Sequence, residues 1–187
     1  MHLQLSLVRL GQFPERLAVP GPRPRDQVGS HRPHKRHLLP APCRGSILEL
    51  LLGRRSYEWF AARWPSRSGE LAARLNSLPK YVVSSTLEHP GWNNSTVLKG
   101  DPVNEISRLK QQLSGDLLIP ASFQLIRTLL EHDQVDELRL KIFPVVLGAG
   151  ERLFGENSGT KLMRLLAAQA LAAGITYLTY QPVRDAQ

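Results

Sequence analysis

Residues 47–64 place an apolar run, one glycine and an amphipathic helix in direct succession. Residues 47–52 read Ile-Leu-Glu-Leu-Leu-Leu, a run short and apolar enough for a buried strand. After Gly53, apolar residues recur at i, i+3, i+4 and i+7, the spacing of one helix face: Tyr57, Phe60, Ala61 and Trp64. This stretch therefore predicts a strand that passes through a single glycine into a helix.

The predicted helix begins with two arginines and a serine: Arg54, Arg55 and Ser56. The first turn of a helix presents backbone N–H groups without intrahelical partners and the positive end of the helix dipole. Arginine adds a full positive charge and can bind phosphate with two hydrogen bonds. The junction is therefore suited to an anionic group such as a phosphate.

The net charge of +8 is concentrated at the start of the chain. Residues 1–46 contain eight Arg or Lys and two acidic residues, which gives +6 and leaves +2 for residues 47–187. The first segment is rich in Pro, His and Arg and lacks sustained periodicity, so we predict a basic, largely disordered tail and a folded domain over 47–187. Within the tail, residues 3–10 are consistent with a short strand or a helical turn. The His-rich run at 31–37 fits a solvated tail better than a metal site, because no suitably spaced Cys or carboxylate accompanies it.

Cysteine content and hydropathy limit the class of protein. The single cysteine, Cys43, excludes an intrachain disulfide framework and fits a reducing compartment, so we expect a cytoplasmic protein. No run approaches the ~18 apolar residues of a membrane span. We therefore expect no membrane association.

The remaining chain alternates strand and helix patterns before its style changes. Strands are predicted at 80–85, 95–98 and 116–119, and helices at 102–113 and 122–132, with a further short helix compatible with 69–75. Such alternation predicts a parallel sheet covered on both faces. Residues 138–142 alternate apolar and basic side chains, as a half-buried strand does, and 161–172 and 175–181 predict a hairpin around Gly174. The whole is a mixed sheet with three main helices and an antiparallel tail.

Three strand ends of this sheet carry polar groups. They are residues 53–56, the hydroxyl cluster 84–86, and residues 120–123 at the start of a helix. The carboxyl ends of parallel strands lie along one edge of a sheet, where ligands of α/β proteins bind. Each junction alone is also typical of an ordinary turn or helix cap. Together they predict a site for a ligand with several phosphates, such as a dinucleotide.

Several segments, in order along the chain, resemble one protein family. Residues 51–58, Leu-Leu-Gly-Arg-Arg-Ser-Tyr-Glu, are similar to the Gly-Arg-x-Thr-Tyr/Trp-Glu segment of the dihydrofolate-reductase-like superfamily. Four further segments resemble its RibD C-terminal domain branch, the reductase part of the bacterial riboflavin-biosynthesis deaminase-reductase: 76–84, 92–96, 135–140 and 144–154. The resemblance covers residues 47 to about 182.

This resemblance implies a three-layer α/β/α sandwich, a mixed and mostly parallel sheet, and NADPH as the cofactor. The cofactor-binding positions that it implies fall on all three junctions: Gly53, Arg54, Arg55 and Ser56 for phosphates, Ser84, Ser85 and Thr86 for the adenosine 2′-phosphate, and Ala121, Ser122, Phe123 and Leu125 for the pyrophosphate and nicotinamide end. Ala121 stands where the family usually has glycine. A Cβ there crowds a backbone that must approach phosphate closely or adopt a positive φ.

The implied activity is hydride transfer from NADPH to a C=N or C=O group of a small-molecule substrate. That substrate would resemble 5-amino-6-(5-phosphoribosylamino)uracil or a related pterin or pyrimidine, and the protein would act as a homodimer. The sequence does not identify the proton donor, and residues 1–46 lack the family's opening turn and acidic helix. We therefore hypothesise an incomplete substrate pocket. The alternative function is a non-catalytic protein whose basic tail binds nucleic acid or another acidic partner.

Overall fold

The structure, a computed structural model, describes residues 2–10, 47–146, 149–150, 152–154 and 159–184. Most of the predicted basic tail, with the His-rich run and Cys43, lies outside the described residues. The strands and helices are β1 His2–Leu10, β2 Ile47–Gly53, α1 Arg54–Ala61, α2 Glu70–Ser77, β3 Lys80–Val83, β4 Ser95–Leu98, α3 Pro102–Gln112, β5 Asp116–Ile119, α4 Phe123–Glu131, β6 Glu137–Phe143, β7 Met163–Ala170 and β8 Thr176–Pro182. None of the helices in these ranges is long and apolar enough to cross a membrane.

The strands form one eight-stranded sheet in the order β4-β3-β2-β5-β1-β6-β8-β7. On one side, β4, β3, β2 and β5 pair in parallel, as the alternation of strands and helices predicted. On the other side, each strand pairs antiparallel with its neighbour. The parallel half brings the ends of β2, β3, β4 and β5 to the same edge of the sheet.

Helices cover both faces of the parallel half, which gives the predicted three-layer α/β/α sandwich. Helices α1 and α2 pack on one face through a cluster of side chains that we call the aromatic core: Leu50, Leu52, Tyr57, Phe60, Trp64, Ala72, Leu75, Val82, Trp92 and Leu118. Helices α3 and α4 pack on the other face through a larger aliphatic core, which includes Leu51, Ile106, Ile126 and Leu129. Because successive residues of a strand point to opposite faces, Leu50 and Leu51 belong to different cores.

Strand β1 lies between β5 and β6, antiparallel to both. The strand alternative for residues 3–10 is thus confirmed, but the strand occupies the middle of the sheet and does not pair beside β2. Its insertion gives the described strands four antiparallel and three parallel pairings, fewer parallel ones than the predicted mostly parallel sheet.

Helix boundaries follow local chemistry. Asp101 caps α3 as predicted: its side chain accepts a hydrogen bond from the Asn104 N–H (3.0 Å), and Pro102 occupies the first turn. Helix α1 ends at Ala61, earlier than its apolar stripe, because Pro65 disfavours helical geometry in the residue before it. Trp64 is nevertheless buried in the aromatic core, so the stripe correctly predicted packing.

The predicted C-terminal hairpin is confirmed. Strands β7 and β8 pair antiparallel, and a short 3-10 turn at Ala172–Gly174 joins them, with Ala173 and Gly174 at φ of 61° and 72°. The prediction that residues 138–142 form a half-buried strand with exposed basic side chains is wrong for Arg139. Its side chain is buried together with that of Glu137, because β6 lies inside the sheet between β1 and β8.

A fully buried lysine holds the amino ends of the parallel strands together. The Lys80 Nζ donates hydrogen bonds to the carbonyl oxygens of Asn76 (3.1 Å), Leu78 (2.6 Å) and Asn93 (3.0 Å). It also lies 4.4 Å from the centre of the Trp92 ring, within range of a cation–π contact. Burial lowers the pKa of Lys80 to about 8, so the amine is mostly protonated at neutral pH. This lysine therefore ties the end of α2 to β3 and the preceding loop of β4.

Replacing Lys80 with methionine should lower the free energy of unfolding by about 2–4 kcal/mol, because three carbonyl groups around a buried site lose their donor. Urea unfolding measures the change. The control is Lys99→Met at an exposed position, which should alter stability by less than about 0.5 kcal/mol. Equal effects of the two substitutions would contradict the structural role of Lys80.

Candidate active site

The three predicted junctions meet at one edge of the sheet. Because β2 pairs in parallel with both β3 and β5, Gly53, Val83 and Ile119 end neighbouring strands on the same side. Helix α1 begins directly after Gly53, and α4 begins two residues after Pro120. We call this edge, formed by residues 53–56, 84–86 and 120–123, the phosphate rim.

A chain of hydrogen bonds through Ser122 joins the first and third junctions. The Gly53 N–H donates to the Ser122 Oγ (2.9 Å), and the Ser122 hydroxyl donates to the Ser56 Oγ (2.8 Å). Ser122 is the N-cap residue of α4, but its side chain accepts no hydrogen bond from the first turn of that helix. Its hydroxyl instead holds the N-termini of α1 and α4 side by side. The N–H groups that open both helices thus lie close to one another.

Arg54 joins the first junction to the second. Its Nη1 donates to the Thr86 Oγ1 (2.6 Å), and its Nε donates to the Glu58 Oε1 one turn further along α1 (2.8 Å). The Arg54 side chain is half exposed, so the ion pair with Glu58 contributes little to stability. Its effect is to hold the guanidinium across the gap between α1 and the loop after β3. Arg55, next in the chain, is exposed at the same helix terminus.

The three hydroxyls of the second junction have different roles. Ser84 is buried, and its Oγ accepts hydrogen bonds from the N–H groups of Thr86 (3.2 Å) and Leu87 (3.0 Å). This closes a turn at the end of β3. Ser85 and Thr86 are exposed. The turn therefore uses Ser84 for its own structure and presents the next two residues to a ligand.

The third junction has an unusual backbone. Ala121 has φ of 105°, and Ser122 has φ of 77° and ψ of 60°, both in the region that favours glycine. These two residues turn the chain from β5 into α4 and aim the Ser122 side chain at Gly53. The expectation that this backbone needs positive φ is thus confirmed. Phe123 packs partly and Leu125 fully into the aliphatic core, so at these positions backbone N–H groups, rather than side chains, are available to a ligand.

A buried polar cluster next to the rim was missed by the sequence analysis. It consists of Glu137, Arg139 and Tyr177, with the Arg139 Nε donating to the Glu137 Oε1. Burial raises the pKa of the Tyr177 hydroxyl, and the adjacent Arg139 guanidinium counteracts part of that rise. Lys141 pairs with Tyr177 across β6 and β8, and partial burial lowers the pKa of its amine. We call these four residues the polar cluster.

Sheet register places the polar cluster close to the rim. Ile119 and Leu138 are both opposite Val8 of β1, so Arg139 is level with Pro120, two strands away. Two strand spacings correspond to about 10 Å. Leu138 and Leu140 belong to the aliphatic core, so the alternating Glu137 and Arg139 face the side of the sheet that carries α1. The one sequence signal for this cluster was the opposite charge of two residues spaced by two along a strand.

Comparison with known proteins agrees with this architecture. A model of the RibD C-terminal domain family matches residues 44–177. The chain belongs to the RibD C-terminal domain family. Among curated members of similar sequence is the uncharacterized protein YyaP of Bacillus subtilis strain 168, 27% identical over 136 residues, which span 70% of this chain and 72% of YyaP. A second uncharacterized protein of that strain, YwjB, is 34% identical over 59 residues, 32% of this chain and 34% of YwjB.

A solved structure shares the RibD C-terminal fold. The crystal structure named "Putative riboflavin biosynthesis protein", from Shewanella sp. PV-4, superposes with a TM-score of 0.61 over 74% of this chain and 75% of that chain. The sequences are 23% identical, so the likeness extends to the fold alone. The family resemblance and the dihydrofolate-reductase-like fold predicted from the sequence are thus confirmed.

The backbone at Ala121 yields a prediction of opposite signs for one kind of substitution. Ala121→Gly removes a Cβ from a residue at φ of 105° and should raise the free energy of unfolding by about 1 kcal/mol. The matched change Ala72→Gly, inside α2, should lower it by about 1 kcal/mol or more. Chemical denaturation of both variants tests this, and destabilisation by Ala121→Gly would contradict the strained backbone.

Proposed function

We propose that this chain is an NADPH-dependent reductase of the RibD C-terminal type. The observation that carries the proposal is the convergence of Gly53, Ser56 and Ser122 through two hydrogen bonds, with Arg54 extending the same rim to Thr86. Membership of a reductase-like family and a fold shared with a protein named for riboflavin biosynthesis support it. The substrate would be 5-amino-6-(5-phosphoribosylamino)uracil or a related pterin or pyrimidine.

The residues of the rim fit the phosphates of such a cofactor. The N-termini of α1 and α4 supply backbone N–H groups and the positive ends of two helix dipoles to one location. Arg54 and Arg55 add two full charges there. The pyrophosphate would lie against the α4 terminus. The 2′-phosphate would lie at Arg54, Ser85 and Thr86, because Arg54 already contacts this loop.

The polar cluster suits the substrate side of the reaction. Bound NADPH would supply a hydride to the carbon of a C=N or C=O group, and the chain must then provide a proton to the nitrogen or oxygen. Tyr177 is a buried hydroxyl beside Arg139, about two strand spacings from the rim. The positive charge of Arg139 stabilises the tyrosinate that remains after proton donation. We therefore assign proton donation to Tyr177.

Substituting Arg54 with alanine should weaken NADPH binding about 10- to 100-fold, the effect of losing a charge-assisted contact to the 2′-phosphate. Binding of NADH, which lacks that phosphate, should change by less than about threefold. Isothermal titration calorimetry with both nucleotides makes the comparison.

The control for this measurement is Arg67→Ala. Arg67 is exposed and follows α1 at the end remote from the rim, where its guanidinium lies over the Trp64 ring. The substitution removes the same charge and should leave both affinities unchanged. Equal losses of NADPH and NADH affinity in Arg54→Ala would refute the assignment of the 2′-phosphate, and absence of saturable NADPH binding to the unaltered protein would refute the proposed function.

Tyr177→Phe should lower kcat for reduction of 5-amino-6-(5-phosphoribosylamino)uracil by about a hundredfold or more, within the usual effect of a general acid. NADPH affinity should not change. The control is Tyr180→Phe on the same strand, whose ring packs against the aliphatic core on the opposite face. A Tyr177→Phe enzyme with normal kcat would exclude this hydroxyl as the proton donor.

A further inference from the structure

The two edges of the sheet differ in length and polarity. Strand β4 forms one edge and has only four residues, Ser95–Leu98, with a polar exposed centre at Thr96. Strand β7 forms the other edge and has eight residues, of which all but Met163 are exposed. Short and polar edge strands resist pairing with other chains, whereas long apolar ones invite it. The contrast singles out β7 as an edge unsuited to permanent contact with water.

Both faces of β7 are apolar. Opposite partners on β8 place Leu165 and Ala168 on the side of the aliphatic core and Ala167 on the other side. Leu165 and Leu166 are 52% and 43% exposed, and the flanking Leu162 is 66% exposed. Among the described residues β7 pairs only with β8, so the backbone groups along its outer side are available for a further strand.

The charge pattern of β7 matches an antiparallel copy of itself. Its one charged residue, Arg164, lies near the start of the strand and donates a hydrogen bond to Gln181 (2.6 Å). If two copies pair antiparallel about a two-fold axis near Ala168, each Arg164 faces the alanine-rich end of its partner. The two charges are then about 20 Å or more apart, and no like charges oppose each other. A single patch that complements itself is what a two-fold interface requires.

We propose that β7 is the interface of a homodimer, in which the β7 strands of two copies pair antiparallel and join the two sheets into one. The small side chains of Ala167, Ala168 and Ala170 allow the two backbones and their flanking leucines to approach closely. The exposed leucines of both copies are buried together on association, which provides the hydrophobic driving force. This inference does not depend on the proposed reductase activity.

Sedimentation velocity of the full chain tests the proposal. The unaltered protein at tens of micromolar should sediment as a dimer. Ala168→Lys places two like charges near the axis and should weaken dimerisation at least tenfold. The matched control is Thr96→Lys, which introduces the same charge at the centre of the opposite edge strand and should leave the dimer intact. Circular dichroism verifies folding, and Gln169→Lys replaces Ala168→Lys if the latter does not fold.

A mixing experiment distinguishes symmetric pairing from a general effect of charge. Ala168→Lys and Ala168→Glu should each be monomeric, and an equimolar mixture should form a heterodimer because opposite charges then meet at the axis. A monomeric unaltered protein, a dimer insensitive to Ala168→Lys or equally sensitive to Thr96→Lys, or a mixture that stays monomeric would overturn the proposal.

Discussion

Parallel pairing of β2 with β3 and β5 determines where every candidate ligand group lies. Because these strands run in the same direction, their ends meet at one edge, and each leads into a helix or a hydroxyl-bearing turn. Ser122 then fixes the distance between two helix termini by contacting Gly53 and Ser56. Without this pairing, Arg54 and Thr86, which are 32 residues apart in sequence, would have no reason to meet. The chemistry of the rim thus depends on the direction of the sheet.

The rim combines a strained backbone with a supporting side chain. Two consecutive residues other than glycine, Ala121 and Ser122, adopt positive φ. Such conformations cost of order 1–3 kcal/mol each and persist only where their surroundings hold them. The hydrogen bonds of the Ser122 hydroxyl provide that hold at this position. A glycine at 122 would relax the turn but would lose the contact between α1 and α4, so the serine exchanges backbone freedom for a fixed rim.

Much of this architecture followed from local patterns in the sequence. The Asp101–Pro102 pair predicted the start of α3, the apolar runs predicted β2 and β5, and Gly174 predicted the hairpin, because each of these signals acts within a few residues. The three junctions could be aligned on one edge because the direction of parallel strands follows from their alternation with helices. The contacts of Ser122 with residues 66 and 69 positions earlier could not be predicted, since no short-range pattern encodes them. The burial of Arg139 was missed for a related reason: the position of β6 within the sheet depends on β1, more than a hundred residues away.

Lys80 also determines how this protein would respond to a protease. Trypsin cleaves after lysine, but Lys80 has no exposed surface and three of its contacts are to backbone carbonyl groups from separate parts of the chain. Fraying of a loop or a helix end does not release it. Cutting at this peptide bond therefore requires the amino ends of the parallel strands to separate, and its rate reports the cooperative opening of the sheet. Exposed lysines such as Lys99 would instead report local motion.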